Sequence, residues 1–148
     1  MQKFNYHTHT YRCVHADQDY LDEEYVKDFI EMGFNKIAFT DHCPEKNKID
    51  KRTHMRMEYL QKEEYIESIN ILKEKYKDKI KIENGYEIEY LPGEEKNIQE
   101  LREEADKIIV GQHFIYDDNK ELKIFGKADF NEKELNRYAE YIEEVMKL

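Results

Sequence analysis

The sequence predicts an α/β fold: a parallel sheet of about four strand–helix units. Three observations carry this reading. Short β-prone or apolar runs alternate with longer stretches at helical spacing, four times over. Most of the histidines fall where a predicted strand ends. No Pro/Gly-rich linker, low-complexity segment or repeat divides the 148 residues, so residues 1–148 read as one domain or a large piece of one. Strands alternating with helices favour βαβ units, whose strands lie parallel. Four such units can make an open sheet or an arc of a closed barrel. A complete (β/α) barrel needs about 200–250 residues, so this chain is too short to close one alone.

Taken in order, Lys3 to His9 is a short β-prone strand. Asp22 to Phe34 carries Tyr25, Val26, Phe29 and Ile30 at helical spacing, with Gly33 as a stop signal. Lys36 to Thr40 is a buried-type strand. Met57 to Tyr76 is a long helix with Leu60, Tyr65, Ile69, Leu72 and Tyr76 on its stripe. Lys79 to Glu83 alternates Lys-Ile-Lys-Ile-Glu and leads as a strand into Gly85. Asn97 to Asp106 is a short helix, and Lys107 to Val110 an apolar strand. Phe114 to Phe125, with Asp117-Asp118-Asn119 in its middle, reads as a hairpin or loop excursion. Asn131 to Leu148 is a final amphipathic helix carrying Leu135, Tyr138, Tyr141, Ile142, Val145 and Met146.

Hydrophobic residues make up 39% of the chain, enough for a core. Charged residues also make up 39%, above the ~25% of ordinary soluble domains, but they lie mostly on helices with regular apolar spacing, which argues against disorder. A net charge of −10 argues against broad binding to nucleic acid or anionic membranes. A small phosphorylated substrate stays compatible, because bound cations can reverse the local sign. No apolar stretch approaches the roughly 20 residues of a membrane span, and the start Met1-Gln2-Lys3-Phe4 has no secretory apolar region. Two cysteines, Cys13 and Cys43, make no disulfide framework, so a cytoplasmic location is expected.

Of the six histidines, His7, His9, His42 and His113 lie at or just after predicted strand ends, and His15 lies in the loop after the first strand. That edge is where parallel α/β proteins build their sites. In His7-Thr8-His9 both imidazoles would share one face of a strand and could reach one ion. Asp41-His42 sets a carboxylate beside an imidazole, which suits a ligand or its orienting partner. Glu87 and Glu89 share a face in Gly85-Tyr86-Glu87-Ile88-Glu89, where Gly85 permits a close backbone approach. Each signal alone has a structural reading; for Glu89 that reading, a solvated strand edge, is the one kept. Together, four successive strands deliver His or Glu to one edge. Imidazole and carboxylate suit Zn, Mn or Fe, and five histidines with a glutamate exceed one tetrahedral zinc site. Multinuclear sites of this kind mostly hydrolyse phosphate esters or amides.

With His-Thr-His-Thr (7–10), Cys-Val-His-Ala (13–16), Phe-Thr-Asp-His (39–42), Gly-Tyr-Glu (85–87) and Gly-Gln-His-Phe (111–114) in that order, the chain resembles the polymerase and histidinol phosphatase (PHP) family, in its histidinol-phosphatase-like branch. The resemblance runs from about Tyr6 to Phe114. It implies the N-terminal part of a distorted (β/α)7 barrel with up to three divalent metals at the C-terminal edge of its strands. Carried onto this sequence, His7 and His9 would hold one metal, Glu87 would bridge it to a second that His113 also binds, and His15 and His42 would hold the third. Family ligands from the C-terminal half have no counterpart here, since no histidine follows His113. Each metal would lack one ligand, and the strand–helix boundary at Leu148 favours a chain incomplete at its C-terminus over a naturally shortened one.

The resemblance implies a phosphoesterase in which metal-activated water attacks a phosphate monoester, with histidinol phosphate the first candidate. Asp41, the one candidate catalytic side chain, would orient His42 or shuttle a proton. Competing readings are a catalytically incompetent metal-binding scaffold and a nuclease or proofreading domain; the charge and the absence of a Lys/Arg stripe count against the nuclease. Cys13 and Cys43 read as small buried residues, His54 as an exposed one, and Arg12, Arg52 and Arg56 as solvated charges rather than phosphate contacts. The tyrosines read as packing. A sheet with unpaired edges and stripped apolar faces is expected to form a homo-oligomer or to be poorly stable. If the chain proved self-sufficient, Asp117, Asp118 and Asp129 would be the first candidates for further ligands.

Overall fold

The computed structural model describes residues 2–46 and 55–148. Its main sheet has four parallel strands in sequence order: β1 (Phe4–Asn5), β2 (Lys36–His42), β3 (Lys81–Ile88) and β4 (Lys107–Val110). Helices α1 (Asp22–Glu31), α2 (Lys62–Tyr76) and α3 (Glu95–Glu104) are the crossovers between successive strands. A two-stranded antiparallel hairpin, β5 (Phe114–Tyr116) with β6 (Leu122–Ile124), and a last helix α4 (Glu132–Lys147) follow. This is the expected α/β architecture, a curled arc of a (β/α) barrel.

The periodicities explain the layering. Ile37 and Phe39 of β2 and Ile82, Tyr86 and Ile88 of β3 alternate toward the helices, where they pack with Val26, Tyr65, Ile69, Leu72, Tyr76, Ile98, Leu101 and Val145. A smaller core under the hairpin joins Leu91, Phe114, Ile115, Leu122 and Tyr141. The opposite face of the sheet carries Lys36, Thr40, His42, Glu83, Glu87 and Lys107, with Lys36 paired to Glu83 at 2.9 Å and both Lys36 and Lys107 set over the Tyr6 ring. That side is largely polar.

Element ends follow local chemistry. The N–H of Leu21 donates to Glu24 Oε2 at 2.7 Å, and Asp22, Glu23 and Glu24 set negative charge in the first turn of α1. In α4, Asn131 and Glu134 cap each other reciprocally at 3.0 Å. Asp117 Oδ1 accepts from the N–H groups of Asn119 and Glu121, both at 2.8 Å, and so closes the hairpin expected around it.

Some boundaries differ from expectation. The first strand pairs regularly only at Phe4–Asn5, because Asn5 Oδ1 takes the N–H of His7 at 2.8 Å and turns the backbone out of the ladder. The chain still runs beside β2, with Thr40 N–H donating to Thr8 O at 2.9 Å. The long helix begins at Lys62, after a 3₁₀ turn at Tyr59–Gln61 that leaves Leu60 93% exposed. Leu135 and Met146, placed on the α4 stripe by spacing, are exposed. Cys13 and Cys43 are buried, free thiols, as expected. His54 and Arg52 lie outside the described residues.

Candidate metal centre

Glu87 is the hub of the site. It is buried near the end of β3, opposite His42 of β2 in the parallel register. Its Oε2 lies 3.1 Å from His7 Nε2, 3.2 Å from His9 Nε2 and 3.3 Å from His42 Nδ1. Its Oε1 faces His113 Nε2 at 3.5 Å. Both carboxylate oxygens are thus turned to imidazoles from different segments of the chain. His7 and His9 reach this point although they lie beyond the regular strand, and their Nε2 atoms approach to 2.9 Å. His15 is exposed at the rim, its ring centroid 4.7 Å from that of His9 and 5.0 Å from that of His42. All six residues singled out as ligands therefore converge.

Their donor atoms fall into overlapping sets of three, each within 4.8 Å of one another: His7, His9 and Glu87; His42, Glu87 and His113; His9, His15 and His42. The first and third sets contain the pairs His7/His9 and His15/His42 that the resemblance implies, and the second joins Glu87 to His113. A further set, His9, Cys13 and Asp41, lies deeper. Asp117 and Asp118 are engaged elsewhere, Asp117 in the hairpin turn and Asp118 with Lys133 and Arg137.

Electrostatics favour lone pairs at His42 and His15. Burial holds His42 down to about 3 and also lowers His15. Burial alone would raise Glu87, but the surrounding imidazoles, His9 first, outweigh it and hold the carboxyl at about 2. Hydrogen bonding to Glu89 raises His113 instead. A carboxylate among imidazoles, with His42 and His15 held down, is a donor set that suits a divalent cation. The buried Nδ1 of His42, on the Glu87 side, also lacks a hydrogen-bond partner. On these grounds the residues fit divalent metal ions.

Asp41 is fully buried at the end of β2 and accepts hydrogen bonds from the N–H of Thr10, at 2.5 Å, and from its hydroxyl. Burial pushes its carboxyl up, against the pull of those bonds. The imidazole it faces is His9, whose Nδ1 is 3.8 Å away. His42, which Asp41 was expected to orient, is its neighbour on the strand, and adjacent side chains point to opposite faces.

Three charged residues read as solvated are buried. Arg12 is 4% exposed and paired with Asp22 and Glu64 at 3.0 and 2.7 Å. Arg56 is 7% exposed and pairs with Glu89 and, at 3.2 Å, with Glu45. Glu89 is 3% exposed, so it is no solvated edge. The signal for Glu89 was the Glu-x-Glu alternation itself, which places it on the face of Glu87. Charge and hydropathy hid both arginines, since a buried ion pair and a solvated one look alike in sequence.

A family model for the PHP domain matches residues 5–148. A histidinol-phosphatase of Bacillus subtilis (strain 168) is 30% identical over 129 residues, covering 82% of this chain and 48% of that protein. A solved Listeria monocytogenes protein, assigned as the histidinol phosphatase HisK, superposes with a TM-score of 0.72 at 27% identity, over 91% of this chain and 52% of that one. The histidinol phosphate phosphatase of Lactococcus lactis, solved with zinc, L-histidinol and phosphate, gives a TM-score of 0.59 at 27% identity, over 76% of this chain and 41% of that one. The chain thus spans about half the length of these relatives, or less.

Proposed function

The chain belongs to the PHP domain family, and from that premise we propose that it supplies the metal-binding edge of a phosphatase that hydrolyses phosphate monoesters, histidinol phosphate first among them. The observation that carries the reading is the single carboxylate of Glu87 facing four imidazoles within 3.1–3.5 Å. The relatives' names and the zinc, histidinol and phosphate of the Lactococcus structure support the substrate class.

In this proposal His7, His9, His15, His42, Glu87 and His113 hold up to three divalent ions, of zinc, manganese or iron. Such ions, when bound, neutralise charge on phosphate oxygens and acidify water for attack on phosphorus. The chain's own groups do the rest. Glu87 offers one oxygen to the His7, His9 and His42 side and the other to the His113 side, so it spans two ligand sets. Buried His42 keeps its lone pair. Asp41, pinned by Thr10, is a positioning residue behind His9. Exposed His7 and His15 rim the open side where a small anionic substrate enters. We place the protein in the cytoplasm; no helix among the described residues is long and apolar enough to cross a membrane.

A phosphate-release assay with histidinol phosphate and p-nitrophenyl phosphate, with Mn²⁺ or Zn²⁺ and after chelation, tests the reading. Metal-dependent release that chelator abolishes is expected. Failure to release phosphate from either ester with any of these metals overturns it. Each donor set brings three protein ligands, so a second reading is a metal-binding scaffold without turnover. Bound metal without phosphate release would favour that one.

A further inference from the structure

The buried pair Arg56–Glu89 lies directly behind His113. Glu89 Oε2 accepts the backbone N–H of His113 at 3.0 Å, and the same oxygen faces His113 Nδ1 at 3.7 Å. The other ring nitrogen, Nε2, points to Glu87 Oε1 at 3.5 Å. The imidazole is thus held end-on between two carboxylates, one in the metal cluster and one behind it. Nδ1 is shut off from solvent and has no hydrogen-bond partner as placed, so a small rotation of the ring would give it Glu89 as acceptor.

Glu89 in turn is fixed from the far side. Its Oε1 is bound by Arg56 Nη2, while Arg56 Nη1 donates to the carbonyl of Cys43 at 3.1 Å. Cys43 N–H donates to the carbonyl of Glu87 at 2.9 Å. The guanidinium therefore joins the residue after β2 to the residue after β3, and Glu89 carries that tie to the loop after β4. A buried ion pair contributes little net stability over an apolar pair of the same shape, since desolvation offsets the attraction. This pair sits directly behind the candidate ligand His113. Carboxylates behind metal-bound imidazoles fix the tautomer and the ring orientation.

We propose that Glu89, held in place by Arg56, is a positioning residue that orients His113 with Nε2 toward the metal side and Nδ1 protonated toward Glu89. The proposal rests on the reading of the cluster as a metal centre and adds to it a residue that touches no metal. Asp41 behind His9 is a second instance of the same arrangement on another ligand.

The test titrates the metal-free 148-residue protein with Co²⁺, followed by visible absorption, in wild type, Glu89→Gln, His113→Ala and His7→Ala. Glu89→Gln should weaken the Co²⁺ step that His113→Ala removes, by about 10–100-fold, and spare the step that His7→Ala removes. Equal weakening of every step, or none, overturns the proposal. Wild type that binds no Co²⁺ overturns the metal reading and this inference with it, whereas wild-type binding left unchanged by Glu89→Gln overturns this inference alone. Because Glu89→Gln leaves Arg56 less compensated and the variant could fail to fold, a second measurement uses wild type only. Ring ¹H–¹⁵N correlations of the zinc-loaded protein should show His113 protonated at Nδ1, with slow proton exchange. A proton on Nε2 instead overturns the assignment whatever the variant does.

Discussion

Gly111 lies against the side chain of Glu87 so closely that a Cβ at position 111 would fall 1.9 Å from Oε1 and 2.8 Å from Cγ. The whole carboxylate arm, and not its tip alone, occupies the space a side chain would need. The loop after β4 can carry His113 up to Glu87 only with glycine there. Gly111→Ala should therefore displace Glu87 from its imidazoles. We expect at least 10-fold weaker binding of Zn²⁺ or Mn²⁺ by calorimetry, with a loss of metal-free stability of about 1–3 kcal/mol from overpacking. Unchanged metal affinity would show that Glu87 has another rotamer able to serve.

Glu87→Gln keeps the shape of the hub and removes its charge. An amide cannot balance a dication as a carboxylate can. Metal affinity should fall by at least about 100-fold, beyond the 10–100-fold typical of losing an outer partner, while His54→Ala should leave bound metal as it was. Elemental analysis of the purified variants decides it, and equal metal in the two would remove Glu87 from the ligand set.

The residues that cluster were legible in the sequence because metal chemistry admits few residue types and the sheet edge repeats. Strand ends at His42, Glu87 and His113 could be read without a structure, and those residues do meet. The surroundings were harder to read. Glu89 and Arg56 look like surface charges in a chain with so many, and their burial depends on a contact across 33 positions. Asp41 next to His42 suggested a pair, although strand geometry sends the two apart and gives Asp41 to His9. Leu60 fits a helical stripe, yet the 3₁₀ turn at Tyr59–Gln61 rotates it into solvent.

Behind the site, the hydroxyl of Tyr65 on α2 meets the carbonyls of Phe39 and Gly85, both at 2.9 Å, with the ring fully buried. Gly85 brings β3 close to β4, where an added Cβ would lie 2.1 Å from the carbonyl of Lys107. Tyr65→Phe strips a buried donor from two carbonyls and should cost about 1–3 kcal/mol. Urea denaturation should show a lower midpoint with an unchanged slope, and metal stoichiometry should be kept. An unchanged midpoint would mean that water replaces the hydroxyl.

Away from the candidate metal centre, Arg12 and Glu64 set a pH dependence. Hydrogen bonding to Arg12 holds the Glu64 carboxyl below its ordinary value of 4.5, against the opposing effect of burial. A carboxyl depressed in the folded state stabilises fully above its unfolded value, and the contribution is lost as pH falls through the folded value. Wild type should therefore exceed Glu64→Gln in stability at pH 7, by no more than about 1 kcal/mol because Glu64 is half exposed. The gap should close once the pH is taken well below 4.5. A gap that persisted at pH 2 would assign it to packing instead of charge.

A bound cation would tie together segments that are otherwise far apart in the chain: the loop after β1 through His7, His9 and His15, the end of β2 through His42, β3 through Glu87, and the loop after β4 through His113. None of these groupings exists in the unfolded chain, so metal binds the folded state preferentially and its binding energy adds to stability. At a free concentration of 100 times Kd the gain is about 2.7 kcal/mol, which for a domain of this size raises Tm by about 5–10 °C. Zn²⁺ or Mn²⁺ should give that rise in a thermal melt, chelator should reverse it, and Mg²⁺, which prefers oxygen ligands, should give much less. Glu87→Gln should flatten the response, because Glu87 belongs to two of the donor sets. An equal response to all three ions, or one that Glu87→Gln leaves intact, would place the stabilising metal away from these imidazoles.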